Sequence, residues 1–149
     1  MTVTIRGSVK DANDCLLRHG KEETQAVFSA RGITSEVIRR NKITEKNGWI
    51  HFNYFRDCQL INVKYRGIHE KKFMQHKGAE SIFYGLDDLE NSEEIIIVEG
   101  EFDRLALNVC GIWNVLSVPQ GAGDSLECIT NCYKYFDNDK PIIIAVKRS

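Results

Sequence analysis

An α/β fold is predicted, in which an incomplete parallel sheet follows a small α+β lobe rich in basic residues. Three observations predict it. Residues 95–98, Ile-Ile-Ile-Val, form an unbroken β-branched run that ends in Glu99-Gly100 and an acidic helix start. A second apolar run, residues 113–118, follows a helix stop at Cys110-Gly111 and leads into Pro119-Gln120-Gly121-Ala122-Gly123. Upstream, residues 49–55 and 60–65 alternate with period two around the short loop Arg56-Asp57-Cys58-Gln59. Strand, acidic turn, helix, strand and glycine-rich loop make a βαβ unit and hence a parallel sheet. The alternating pair makes an antiparallel hairpin.

The elements follow in order. The first third reads as helical: Asp14 to His19 ended by Gly20, Glu22 to Arg31 stopped by Gly32, and a third helix through Arg40 capped by Thr34 or Ser35. The helices flanking Gly32, with Arg39, Arg40 and Lys42 after them, also match a helix-turn-helix DNA reader. The later helix is barely two turns long, which suits packing onto the next sheet better. In the hairpin, Ile50, Phe52 and Tyr54 share one face and His51, Asn53 and Phe55 the other. Ile61, Val63 and Tyr65 alternate with Asn62 and Lys64, so one face is expected to be core and the other to present Lys64 and Arg66. A short strand at 73–75 completes this lobe. The helix after Gly100 carries Leu105, Ala106 and Val109. A last helix starts at Asp124, with a capping box to Glu127 and a stripe of Leu126, Ile129, Cys132, Tyr133 and Phe136. Residues 142–146 form the final strand. Asp137 and Asp139 precede it, and five residues of strand place them about 16 Å from its carboxyl end, so they read as turn residues.

Composition bounds the reading without choosing it. The 149 residues make one domain or two small lobes, and the net charge of −1 gives no global pull toward nucleic acid. The charge is local instead. Lys64, Arg66, Lys71, Lys72 and Lys77 are interleaved with Tyr65, Phe73 and His76, whereas acids concentrate from Glu80 to Asp103. That asymmetry sets a cationic surface beside an anionic site, or else marks a solvated hairpin. Cys15, Cys58, Cys110, Cys128 and Cys132 contain no C-x-x-C pair, which suits a reducing compartment with thiols as small apolar fillers. His51, His69 and His76 are too scattered to act as ligands together. No apolar run approaches the ~20 residues of a membrane span. The start, Met-Thr-Val-Thr-Ile-Arg, has no secretory h-region, and the expected compartment is the cytoplasm.

Glu99 is the candidate functional residue. It sits at the carboxyl edge of a buried strand, where ligands bind in open α/β sheets, and Gly100 removes the Cβ that would hold phosphate or metal away. The alternative is that Glu99 only caps the following helix, with Asp103 favoured by the dipole of the first turn.

Ile96-Ile97-Val98-Glu99-Gly100-Glu101-Phe102-Asp103 followed by Ser117-Val118-Pro119-Gln120-Gly121-Ala122 resembles the Toprim domain of phage-type and organellar primase-helicases, the Twinkle-like group. Ala30-Arg31-Gly32-Ile33, Arg40-Asn41, Lys64-Tyr65-Arg66, Lys72-Phe73, Gln75 and Tyr84-Gly85-Leu86-Asp87-Asp88 precede it in that family's order, so the likeness spans residues 24 to 146. It implies residues 24–90 as the α+β basic subdomain of a primase core and 91–149 as a Toprim half-domain. It further implies a primase-type, metal-dependent nucleotidyltransferase domain of DNA replication, making primers on single-stranded DNA. Glu99 would then be catalytic and, with Asp103, bind Mg²⁺ or Mn²⁺. Lys64, Arg66 and Lys72 would hold nucleotide or nucleic-acid phosphates, and Gly121 and Gly123 would let backbone amides approach them. The implied partners are single-stranded template, nucleoside triphosphates and a helicase domain or subunit.

Two departures qualify the resemblance. Family members carry Asp-x-Asp after the last strand, at positions that are Lys147 and Ser149 here. Val9 to Leu17 resembles a segment that relatives carry after the Toprim region, so residues 1–23 stand out of order; chance, a rearranged or fused fragment and a circular permutation all account for it. The chain therefore reads as a domain incomplete before its acidic pair, and whether it is an active enzyme is left open. A non-catalytic nucleic-acid-binding or interaction remnant is the alternative, and another Toprim chemistry, nuclease or topoisomerase, the third. The polymerising reading requires Glu99 to protrude toward the basic lobe. A Glu99 facing bulk solvent, away from Lys64 and Arg66, counts against it.

Overall fold

The computed structural model describes residues 22–89, 91–120 and 125–147. The expected helix at 14–19, the resemblance at 9–17, and Gly121, Gly123 and Asp124 lie outside the described residues. Helix α1 spans residues 22–29, and α2, Ser35–Arg40, follows after Gly32, whose φ of 72° needs a residue without Cβ. Thr34 caps α2, its hydroxyl accepting from the Val37 amide at 3.3 Å.

Four strands then form an antiparallel sheet in sequence order: β1 (Thr44–Lys46), β2 (Trp49–Arg56), β3 (Gln59–Gly67) and β4 (Phe73–Gln75). The last three match the sequence reading. β1 was not expected; it is three residues long and pairs Thr44 with His51 on the far side of the Asn47-Gly48 turn. After β4 comes a parallel sheet of three strands in the order β6–β5–β7, with β5 (Ile95–Val98) central between β6 (Val115–Ser117) and β7 (Ile142–Ala145). Helix α3 (Glu101–Val109) makes the crossover from β5 to β6, so the expected βαβ unit is present. Helix α4 (Ser125–Asn131) is shorter than the stripe to Phe136 suggested, because residues 133–135 tighten into a 3₁₀ turn. Asp137 and Asp139 lie in the bend before β7. Since β5 and β7 run parallel, that bend is at the sheet edge opposite Glu99, as the strand-length argument required.

Aromatic rings from both lobes make the core. Phe28 and Phe102 lie 5.6 Å apart, Phe52 and Phe102 5.5 Å, and Tyr54 and Tyr84 4.9 Å between centroids. Cys128 and Cys132 are fully buried there, and burial pushes the Cys128 thiol up to about 11. They fill apolar space, as the sequence indicated, whereas Cys58 and Cys110 are exposed, which corrects that reading for those two.

The burial of α3 departs from expectation. Its inward stripe is Glu101, Arg104, Leu105 and Asn108, whereas Ala106 and Val109 are exposed. Three of those four side chains are polar, and each finds a partner. Arg104 donates to Asn41 at 3.1 Å, to the Trp113 carbonyl at 3.1 Å, to the Val115 carbonyl and to Asp88. Asn108 accepts from Asn41 at 2.9 Å. Such a network ties α2, α3 and β6 together with every member satisfied.

Candidate functional site

The site forms where the N-terminus of α3 meets the antiparallel sheet, and the register of β2 and β3 decides which side chains meet there. Phe52 pairs with Lys64, Ile50 with Arg66 and Tyr54 with Asn62. Paired residues point to the same face. Asn62, Lys64 and Arg66 therefore share the core face with Ile50, Phe52 and Tyr54, and the expectation that Lys64 and Arg66 occupy the outer face is corrected. His51 and Tyr65, whose rings are 4.7 Å apart, lie on that outer face. The physical reason is the helix above: the first turn of α3 brings an acid and an aromatic ring onto β3, which gives polar residues partners under cover.

The acid is Glu101, 4% exposed. It accepts from the Tyr54 hydroxyl, and Lys64 Nζ lies 2.9 Å from Oε1 and 3.2 Å from Oε2. Burial, and then the Glu101 charge, raises the Tyr54 phenol well above its ordinary value, so it stays a donor. Glu99, by contrast, is exposed at the tip of β5. Gly100 is extended at φ −148° and starts the helix, which turns Glu101 inward and leaves Glu99 outside. The basic lobe meets the first turn of α3 through Glu101, whereas the sequence expected Glu99 to protrude toward that lobe. Glu99 is thus exposed at the strand tip while Lys64 is engaged by Glu101.

Asp103, the second candidate metal ligand, is one turn into α3, its Oδ2 3.4 Å from where a Cβ on Gly100 would stand. Lys147 Nζ, from the chain just after β7, is 2.9 Å from Asp103 Oδ1. Two carboxylates, one exposed and one held by an ammonium, do not make a metal site on their own, and among the described residues no three acidic, histidine or cysteine side chains converge for one. The described residues thus offer at most two carboxylates at this edge, a number Mg²⁺ uses only when water or substrate phosphate oxygens complete its shell.

Lys72 is exposed on the tight connection between β3 and β4, where its carbonyl accepts from the Gly67 amide at 2.9 Å. Gln75 on β4 joins the two lobes. Its amide donates to the Pro119 carbonyl at 2.8 Å and its oxygen receives Gln120 at 3.4 Å, which fixes the entry of the glycine-rich loop beside β3. Arg66 is 8% exposed, and its Nε and Nη1 are buried without a hydrogen-bond partner.

The sequence reading missed Glu101 and Tyr54 as partners of Lys64. A signal was present: Glu101, Arg104, Leu105 and Asn108 stand at i, i+3, i+4 and i+7, the spacing of one helical face.

Comparison with known proteins places this arrangement. No protein-family model matches the chain. Over 142 residues it is 37% identical to the primase homolog protein of Arabidopsis thaliana, and 41% identical to the chloroplastic/mitochondrial Twinkle homolog protein of the same plant. Each match covers 83% of this chain, which spans 42% of the first relative and 20% of the second. Among solved structures, the primase fragment of the bacteriophage T7 primase-helicase superposes with a TM-score of 0.65 at 23% identity, covering 81% of this chain and 53% of that one. The zinc-binding and RNA polymerase domains of Aquifex aeolicus primase give 0.67 at 17% identity, covering 89% and 46%. These superpositions establish the mixed α/β fold with its parallel sheet.

Proposed function

We propose, from the premise that this chain belongs with the primase and Twinkle homologues and carries a primase-type α/β fold, that it is a DNA-replication domain which binds single-stranded nucleic acid and nucleotide phosphates. The observation that carries the reading is the basic strand β3 and its connection to β4, where Lys72 is exposed and Arg66 keeps two donors without partners, while Lys64 is held by Glu101. Phosphate contacts of this kind supply affinity without sequence preference. Gly121 and Gly123 follow directly on the loop entry that Gln75 holds, which supports a role in approaching phosphate.

Primer synthesis is the second reading, favoured by Glu99 at the carboxyl end of the central parallel strand. In it, Glu99 and Asp103 would take Mg²⁺ or Mn²⁺ only together with further oxygen ligands and after Lys147 releases Asp103. The domain assignment that accompanies both readings is 24–90 for the basic subdomain and 91–149 for the Toprim-like half. A helicase domain or subunit is the proposed partner. For the compartment, the sequence argues for cytoplasm and the Twinkle homolog's name for an organelle; a fluorescent fusion of the native gene product decides.

The test pairs two measurements on one sample. Fluorescence anisotropy with a labelled single-stranded oligonucleotide is expected to show binding that weakens steeply with salt. A primer-synthesis assay with template, nucleoside triphosphates and Mg²⁺ or Mn²⁺ is expected to yield no product. Product that disappears in Glu99→Ala would establish the second reading instead. Absence of any salt-sensitive binding would overturn the first.

A further inference from the structure

β7 lies at one edge of the parallel sheet, and among the described residues only β5 pairs with it. All four of its residues are exposed, Ile142 at 47%, Ile143 at 43% and Ile144 at 71%, and Val146 just beyond is 63% exposed. Parallel sheets are normally covered on both faces, and edge strands are normally blunted by a charge, a proline or a bulge. From Ile142 to Val146 there is neither charge nor proline, and the ladder to β5 runs without a shift of register. The backbone is open too. The Pro141 carbonyl accepts from the Ile95 amide at 2.9 Å, so residues 141, 143 and 145 turn their polar backbone groups to β5. Ile142, Ile144 and Val146 therefore turn theirs to the free edge.

The charges at the two ends of the strand select what covers it. The bend before β7 carries the exposed Asp137 and Asp139, and Lys147 follows β7 with its side chain 75% exposed. A strand with an acidic start and a basic end complements itself when reversed. Pairing Ile142 with Ile144 of a second copy, about a twofold axis at Ile143, joins outward-turned backbone groups from both strands. The same register brings Lys147 beside Asp139 of the second copy and lays the stem of Lys140 over Val146, which keeps the two lysines on opposite faces. A parallel neighbour would set acid beside acid and lysine beside lysine. We propose that β7 is the interface of a twofold dimer of this chain, in which two copies meet antiparallel and two three-stranded sheets become one of six strands. Main-chain hydrogen bonds and covered isoleucines supply the affinity, and the charged ends fix the direction. The dimer goes beyond the nucleic-acid reading and does not depend on it.

The test is sedimentation equilibrium of the full chain over a concentration series, with hydrogen exchange read amide by amide at its two ends. A monomer–dimer equilibrium is expected, and the amides of Ile142, Ile144 and Val146 are expected to exchange slowly in concentrated samples and fast in dilute ones. Ile144→Lys should be monomeric throughout and keep the Tm of the dilute parent, because that side chain is exposed in the monomer. Asp139→Lys and Lys147→Asp are each expected to weaken dimerisation about tenfold, since the contact occurs twice, and together to restore most of the loss. These two exposed positions carry the test even if Ile144→Lys fails to fold. A parent that stays monomeric at every concentration overturns the dimer. So does association that survives in folded Ile144→Lys, or a charge-exchanged double variant no tighter than the single ones. Slow exchange at Ile144 in a monomeric parent would give the edge to another segment of the same chain and overturn it as well.

Discussion

Glu101 shows how much one side chain decides in this molecule. It is a buried carboxylate whose two supports, Tyr54 and Lys64, come from different strands, so losing either exposes an uncompensated charge to a poorly solvated interior. Lys64→Met is expected to destabilise the chain by about 3 kcal/mol, and Lys64→Met combined with Glu101→Gln by clearly less, since the second change removes the stranded charge. Urea melts of the two single variants and the double one measure the coupling; strict additivity would show that the pair is not a unit. Gly85 decides as much by lacking a side chain. With φ at 102° and a would-be Cβ 2.5 Å from Arg104 Nη1 and 2.7 Å from the Val115 carbonyl, Gly85→Ala must displace the buried guanidinium or the strand. A loss of about 2 kcal/mol or more is expected in the same melts. The sequence singled out Glu99 within residues 99–103, and the acid that meets the basic lobe there is Glu101. Strand and helix rules each locate their own residues, but which of two acids at their junction turns inward depends on the angle at Gly100, and no local pattern encodes that angle.

The hairpin of β2 and β3 illustrates what an element reveals in advance and what it conceals. Its strands, loop and period were legible from alternation alone. Its sense was not, because β3 alternates Ile61, Val63 and Tyr65 with Asn62, Lys64 and Arg66, and the apolar set looks like the core set. Cross-strand register with β2 reverses that choice: the turn alone would pair Tyr54 with Ile61, and a bulge between Tyr54 and Phe55 shifts the pairing to Asn62, which turns Lys64 and Arg66 to the core face. The turn itself is tight: Asp57 and Cys58 have φ of 52° and 62°, the pair of left-handed residues of a two-residue hairpin. Asp87 holds it from outside, accepting from the Asp57 amide at 2.8 Å and the Cys58 amide at 3.0 Å. Cysteine is strained in that conformation by about 1–2 kcal/mol, which glycine escapes. Cys58→Gly is expected to stabilise the chain by about 1 kcal/mol and to raise Tm, as its side chain is exposed. A lower Tm would mean that the thiol makes a contact the turn depends on.

At the scale of the whole molecule, the parallel sheet gathers on one edge everything that the strand ends deliver: Glu99 after β5, Pro119 after β6 and Lys147 after β7. That convergence was predictable, since parallel strands share an edge and the residue numbers follow from strand lengths. The consequence of Lys147 was not, because only the folded chain brings its ammonium to Asp103. A divalent ion approaching Asp103 must displace that ammonium. The Lys147 side chain is 75% exposed, so the pair is screened and worth at most about 1 kcal/mol, which corresponds to roughly a fivefold change in affinity. Lys147→Ala is therefore expected to strengthen Mn²⁺ binding severalfold, read by titration calorimetry, and added salt is expected to shrink the difference between variant and parent. Adding Asp103→Asn to that variant should abolish the gain, because the released carboxylate is then gone. Equal Mn²⁺ affinity in parent and Lys147→Ala would mean that Asp103 takes no part in holding a cation, leaving the synthetic reading without its second ligand.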